Sequence, residues 1–131
     1  LAPVYDCGSC LFPQADEDVM RRVLEDRTER DLRIFELPLS GIKVDGQKIR
    51  YFDFISSLKC EDCNEALKRI LPNIDMEKIY QIVNETPFLS ELQISFYKTM
   101  LKERKERILD FSYQKLLNRE QAKNANKLDC F

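Results

Sequence analysis

Histidine is absent from the chain. Catalysis by Ser-His-Asp or Cys-His groups, histidine-ligated metals and imidazole pH switching are therefore excluded from its own residues. Glycine is scarce, with only Gly8, Gly41 and Gly46. Neither G-x-G-x-x-G nor G-x-x-x-x-G-K-[ST] can be written with these three, so no self-contained phosphate-cradling loop of either type is expected. Long apolar runs are missing too: nothing approaches the ~18–20 residues of a membrane span, and no membrane partner is expected. No basic stretch followed by an apolar core opens the chain, so no secretory signal is expected and the expected compartment is the cytoplasm. The first residue is Leu1 rather than Met, and an extended-looking Leu1-Ala2-Pro3-Val4-Tyr5 follows. The chain is expected to be a segment of a longer protein, or a processed one.

What is present fits one folded domain over residues 1–131. A mass of 15.5 kDa with 44% hydrophobic and 34% charged residues is the balance of a chain with a real core rather than a disordered one. Lys and Arg number 21 against 23 Asp and Glu, for a net charge of -2. That gives no broad drive toward nucleic acid, and none is expected as a partner. The five cysteines include Cys7-x-x-Cys10 and Cys60-x-x-Cys63. Four thiolates would suit tetrahedral zinc, but the two pairs lie much further apart than the ~15–20 residues of a zinc ribbon. Reduced, half-buried thiols are the favoured reading, and the odd count with Cys130 argues against a complete disulfide framework.

Patterning along the chain is mostly helical. Asp16 can cap a first helix bearing Val19, Met20, Val23 and Leu24 on one stripe and ending near Asp26. Arg27 to Arg33 is charged without a clear period and reads as a short helix or a solvated loop. Two alternating runs meet at Asp45-Gly46, the signal for a hairpin with a type I′ turn. Cys60 or Asp62 starts a helix carrying Ala66, Leu67, Ile70 and Leu71, which Pro72 stops. Asp75 caps another. Thr86-Pro87 then suggests an N-cap and first helical residue, followed by one long helix to about Arg119. Its stripe includes Leu92, Phe96, Met100, Ile108, Phe111 and Leu116. Within it, Lys102-Glu103-Arg104-Lys105-Glu106-Arg107 reads as a solvated face with i,i+4 pairs, because its two Glu halve the field of a nucleic-acid patch. From Gln121 to Asn126 the chain turns polar, and the last residues are expected to form a frayed end.

Asp6 is the titratable residue that could carry chemistry. It follows an apolar run and precedes Cys7-Gly8, a way to present a carboxylate to Mg²⁺ beside phosphates. As a tripeptide, D-x-G is equally an Asx-type turn at a strand end, and that structural reading stays open. The whole phrase L-A-P-V-Y-D-C-G-S-C-L-F-P-Q, over Leu1 to Gln14, resembles the segment around the metal-binding Asp of HipA-like serine/threonine kinases, the branch also described as phosphatidylinositol-kinase-like. The stretches Gly41 to Ser57 and Thr86 to Gln93 resemble the C-terminal helical part of that branch.

The resemblance implies a mainly α fold: a helical subdomain like a kinase C-lobe, with a short N-terminal strand segment and one small β-hairpin. It implies that Asp6 binds the Mg²⁺ that bridges the phosphates of ATP in the full-length parent, and that Gly8 is the small residue after it. The nucleotide-binding lobe, the phosphate-anchoring Lys and the catalytic-loop Asp and Asn have no counterpart here. The chain is therefore expected to be inactive alone and to bind neither ATP nor Mg²⁺ tightly. Its expected partners are the missing N-terminal kinase lobe, a protein substrate and an antitoxin-like protein. The alternative is a non-catalytic helical module for protein interaction.

Overall fold

The computed structural model describes residues 10–128. The strand expected over Leu1–Tyr5, the expected metal ligand Asp6, and Cys130 lie outside the described residues. From Cys10 onward the chain is mainly helical with one two-stranded sheet, the class that the sequence indicates.

Local capping sets the first elements. Asp16 accepts from the Val19 amide at 2.8 Å and starts α1 (Glu17–Glu25), whose acidic first turn faces the positive helix end. Asp26 then ends α1 and caps the next helix in turn, accepting from the Thr28 amide at 2.7 Å. Its charged stretch is thus helical: α2 (Arg27–Asp31) runs into a wide π turn at Leu32–Glu36 that buries Ile34. Arg30 folds back from α2 to donate to the last carbonyls of α1, Val23 and Leu24, at 3.2 and 2.8 Å.

The hairpin pairs β1 (Lys43–Val44) with β2 (Gln47–Lys48), Val44 opposite Gln47. Asp45 and Gly46 have φ of 51° and 80°, the two left-handed positions of a type I′ turn. Both strands are exposed, so the hairpin projects from the core instead of building it. Next come α3 (Tyr51–Ser56), α4 (Glu61–Ile70), a 3₁₀ turn over Leu71–Asn73 containing Pro72, and α5 (Met76–Glu85) capped by Asp75.

The long helix departs from expectation at its start, middle and end. It begins as α6 (Glu91–Arg104), not at Pro87. Thr86 instead closes α5, its hydroxyl donating to the Ile82 carbonyl at 2.8 Å. Ser90 is the cap: its Oγ accepts from the Gln93 amide while Gln93 Oε1 accepts from the Ser90 amide, so two orphan donors are satisfied at once. In the middle, the helix widens into a π turn at Lys105–Asp110 before continuing as α7 (Phe111–Leu128). It stays helical beyond Arg119, as far as Leu128.

The π turn has a geometric reason. The partly or fully buried positions Phe96, Met100, Arg104, Ile108, Ser112 and Leu116 recur every fourth residue. In a regular α-helix that spacing drifts by about 40° per step. A wider turn with i→i+5 bonds absorbs part of the drift. Thus α6 can pack on α1 while α7 packs on α3 and α4. Met20 and Val23 of α1 meet Phe96, Met100, Ile108 and Ile34 in the core. On the α7 side, Lys115 donates to the Ser56 carbonyl and Arg119 to the Leu58 carbonyl, both at 2.8 Å, closing the end of α3. Among the described residues no helix is long and apolar enough to cross a membrane.

Candidate functional site

Asp6, the sequence candidate, stands four residues before Cys10, the first described residue, so the described fold begins at Cys10–Phe12. Those residues are held by Arg104. As the charged member of the every-fourth stripe, it points inward just before the helix widens. Its Nη1 donates to the Cys10 carbonyl at 2.6 Å. Its Nη2 donates to the carbonyls of Arg33 and Leu37 at 2.9 and 3.2 Å. The guanidinium plane also lies against Phe12, with Cζ 5.3 Å from the ring centroid.

One side chain thus ties three stretches together: the segment after Asp6, the π turn that follows α2, and the chain leaving that turn. Phe12 takes φ of 55°, and its carbonyl accepts from the Ala15 amide at 3.0 Å. The segment therefore turns sharply where Arg104 holds it.

Arg104 forms no ion pair among the described residues, because Glu103 turns toward Arg30 and Arg107 instead. Burial accordingly pushes the Arg104 guanidinium below its ordinary value. Beside it opens a cavity of about 340 Å³, lined by Cys10, Leu37, Tyr51, Ile55 and Ile108 with Arg104 as its one charged wall.

A charged network next to the clamp locks α2 to the π turn of the long helix. Arg107 donates to Asp31 at 2.6 Å and to Glu103 at 3.0 Å, and Glu103 lies 3.7 Å from Arg30. The Arg107 guanidinium also stacks over Phe35, 4.8 Å from its centroid. The hydrogen bond from Arg107 holds the Asp31 carboxyl below the usual carboxylate range, and the same bond raises Arg107. The Lys102–Arg107 run is therefore only partly the solvated face that its sequence suggests. The i,i+4 pair Glu103–Arg107 forms, but Arg104 points inward and Arg107 reaches across to α2, leaving Lys102 and Glu106 exposed. Extending the every-fourth spacing through Arg104 was the signal that could have found this in the sequence.

The other sequence candidates lie elsewhere. Cys60 stands at the N-terminal boundary of α4 without a capping hydrogen bond and Cys63 sits in its first turn, both half-buried free thiols. Burial, followed by the nearby Cys60, pushes the Cys63 thiol up. Cys7 lies outside the described residues. Among the described residues, no group of three or more Cys, Asp or Glu side chains is placed to hold a metal. The clamp uses the Cys10 carbonyl, while the Cys10 thiol is free and exposed, and no general base stands among its contacts. What it can do is orient the chain that precedes it.

No protein-family model matches the chain. It is homologous to part of the serine/threonine-protein kinase CtkA of Helicobacter pylori (strain J99 / ATCC 700824), with 46% identity over 118 residues. That alignment covers 89% of this chain and 36% of CtkA, so the chain spans about a third of the relative's length. The fold matches the crystal structure of the Helicobacter pylori proinflammatory kinase CtkA with a TM-score of 0.85 and 45% sequence identity. There the match covers 91% of this chain and 44% of the other.

Proposed function

We propose that the chain is the C-terminal helical subdomain of a HipA-like serine/threonine kinase and that Asp6 supplies its metal ligand. The observation that carries this reading is the homology to CtkA over nearly the whole of this chain. The nucleotide-anchoring Lys and the catalytic-loop Asp and Asn belong, in this reading, to the N-terminal lobe that completes the site.

Phosphoryl transfer requires the phosphates, the metal and an oriented hydroxyl to be positioned together. Mg²⁺ bound between the phosphates would neutralise the charge that develops there. On this side of the cleft, the chain's task is to hold the Asp6 carboxylate ionised and at a fixed place. Without the other lobe, the chain lacks the Lys and the phosphate loop that would share the nucleotide's charge, and a lone carboxylate repels it.

Asp6→Asn in the full-length parent tests the reading. The change keeps the shape and removes the charge, so autophosphorylation should fall by orders of magnitude while circular dichroism stays that of the folded protein. A near-normal rate would overturn the metal role. The 131-residue chain by itself should bind Mg²⁺-ATP weakly or not at all, and calorimetry showing micromolar binding would contradict the divided site.

A further inference from the structure

We propose that Cys60 and Cys63 form a reversible dithiol–disulfide site, closed by thiol–disulfide exchange with a small disulfide-bearing oxidant. The inference does not depend on the kinase reading.

The two thiols are free and half-buried at the start of α4. The Asn64 amide donates to the Cys60 carbonyl at 3.0 Å, so both cysteines belong to one completed helical turn. Residues three apart on a helix have Cβ atoms about 5–6 Å apart, and a disulfide needs about 3.5–4.5 Å. Closure therefore asks for a shift of roughly 1–2 Å. Cys60 is the partner that can make it. Its backbone is extended, with φ of -95° and ψ of 105°, and it has no side-chain capping bond to lose. Lys59 before it is exposed. Cys63, inside the helix, lines an apolar cavity of about 150 Å³ with Ala66, Leu67 and Leu109, and has less freedom.

The surroundings confine the movement. The Leu58 carbonyl accepts from Asn64 Nδ2 at 3.1 Å and from Arg119 Nη1 at 2.8 Å. Leu58 is thereby pinned to α4 and α7, so the adjustment falls on Lys59 and Cys60 and leaves the helix packing in place. Closing so short a loop restrains the unfolded chain little; the bond adds little stability and stays exchangeable.

Burial pushes the Cys63 thiol up, so the first attack falls to Cys60. The Cys60 thiolate attacks one sulfur of the oxidant R–S–S–R, forming a bond to S–R and releasing RS⁻. The Cys63 thiolate then attacks the Cys60 sulfur, the bond from Cys60 to S–R breaks, and a second RS⁻ leaves. Two electrons pass from the cysteine pair to the oxidant, and the two thiol protons end on the two RSH products.

The test uses the 131-residue chain carrying Cys7→Ser, Cys10→Ser and Cys130→Ser, equilibrated in buffers of oxidised and reduced glutathione. Alkylation and mass spectrometry should find both thiols lost, no glutathione retained and the chain monomeric, with the helical circular dichroism unchanged. Dithiothreitol should restore both thiols. Adding Cys63→Ser should trap one glutathione on Cys60. Adding Cys60→Ser instead should give an adduct at Cys63 that forms several-fold more slowly. Two retained glutathiones, two persistent free thiols, or a bridge that forms only as the helical signal is lost would each overturn the site. Faster adduct formation at Cys63 than at Cys60 overturns the order of attack. Should the triple variant not fold, the unsubstituted chain gives the same readout, because trypsin releases both cysteines on the peptide Cys60–Lys68, which loses two hydrogens on closure.

Discussion

Replacing Phe96 by Ala removes the ring around which α1 and α6 pack. Phe96 is 0% exposed and lies in the cluster formed by Met20, Val23, Met100 and Ile34. It also meets Tyr97 edge-on, with centroids 5.6 Å apart at an interplanar angle of 66°. A buried Phe→Ala change costs about 3–5 kcal/mol through lost transfer energy and the cavity left behind. The edge contact contributes about 0.5–1.5 kcal/mol of interaction on the same ring. A domain has only about 5–15 kcal/mol in total, so most of its margin would go. At ~2.1 cal/mol/K per residue, a chain of about 120 ordered residues has an unfolding entropy near 0.25 kcal/mol/K, giving a Tm drop of roughly 12–20 °C. In urea, with a slope of about 2 kcal/mol/M, the midpoint should fall by about 2 M. Far-UV circular dichroism on the 131-residue chain reads both quantities. Phe88→Ala is the internal control, since Phe88 is 100% exposed, and it should change stability by less than ~0.5 kcal/mol. A loss below ~0.5 kcal/mol for Phe96→Ala, or equal losses for the two variants, would show that the packing argument has the wrong face.

Ser90→Ala removes the acceptor that replaces Thr86 as the cap of α6, and should cost about 1 kcal/mol in urea unfolding; no loss would mean the capping box contributes nothing. Arg107 depresses the folded-state pKa of Asp31, so the carboxylate stabilises the fold above the ordinary Asp value of 3.8, and that stability is lost as pH falls through the lower folded value. Asp31→Asn should therefore flatten the stability–pH curve below about pH 4, by a modest amount because the pair is partly exposed; an unchanged slope there would contradict the linkage.

How far the sequence could be read depended on the range of the interaction concerned. Asp16, Asp75 and the Asp45-Gly46 turn were legible because a cap or a tight turn is settled within three or four residues. Thr86-Pro87 misled for a related reason. It is a valid helix start locally, but Ser90 and Gln93 offer a reciprocal pair of bonds a few residues later, while Thr86 bonds backward into α5. The stretch from Arg27 to Arg33 stayed ambiguous because its helix has little apolar periodicity. It is held by Asp26 at one end and by Arg107, distant in sequence, along its side. For the site, Asp6 was singled out only through the phrase that surrounds it, and it lies outside the described residues.

By itself, the sequence determined the mainly helical class, the single hairpin, and Phe96 and Ile108 as core, since local bonding and apolar spacing carry that information. Only the tertiary structure decided that the helix must widen at Lys105–Asp110 and that Arg104 lies inward while Lys102 and Glu106 face solvent. The every-fourth spacing marks position 104 as facing inward, but an arginine within a charged run reads as solvated unless acceptors wait for it. What turns it inward is the convergence of the Cys10, Arg33 and Leu37 carbonyls, acceptors from stretches that meet only once α1, α2 and α6 have packed.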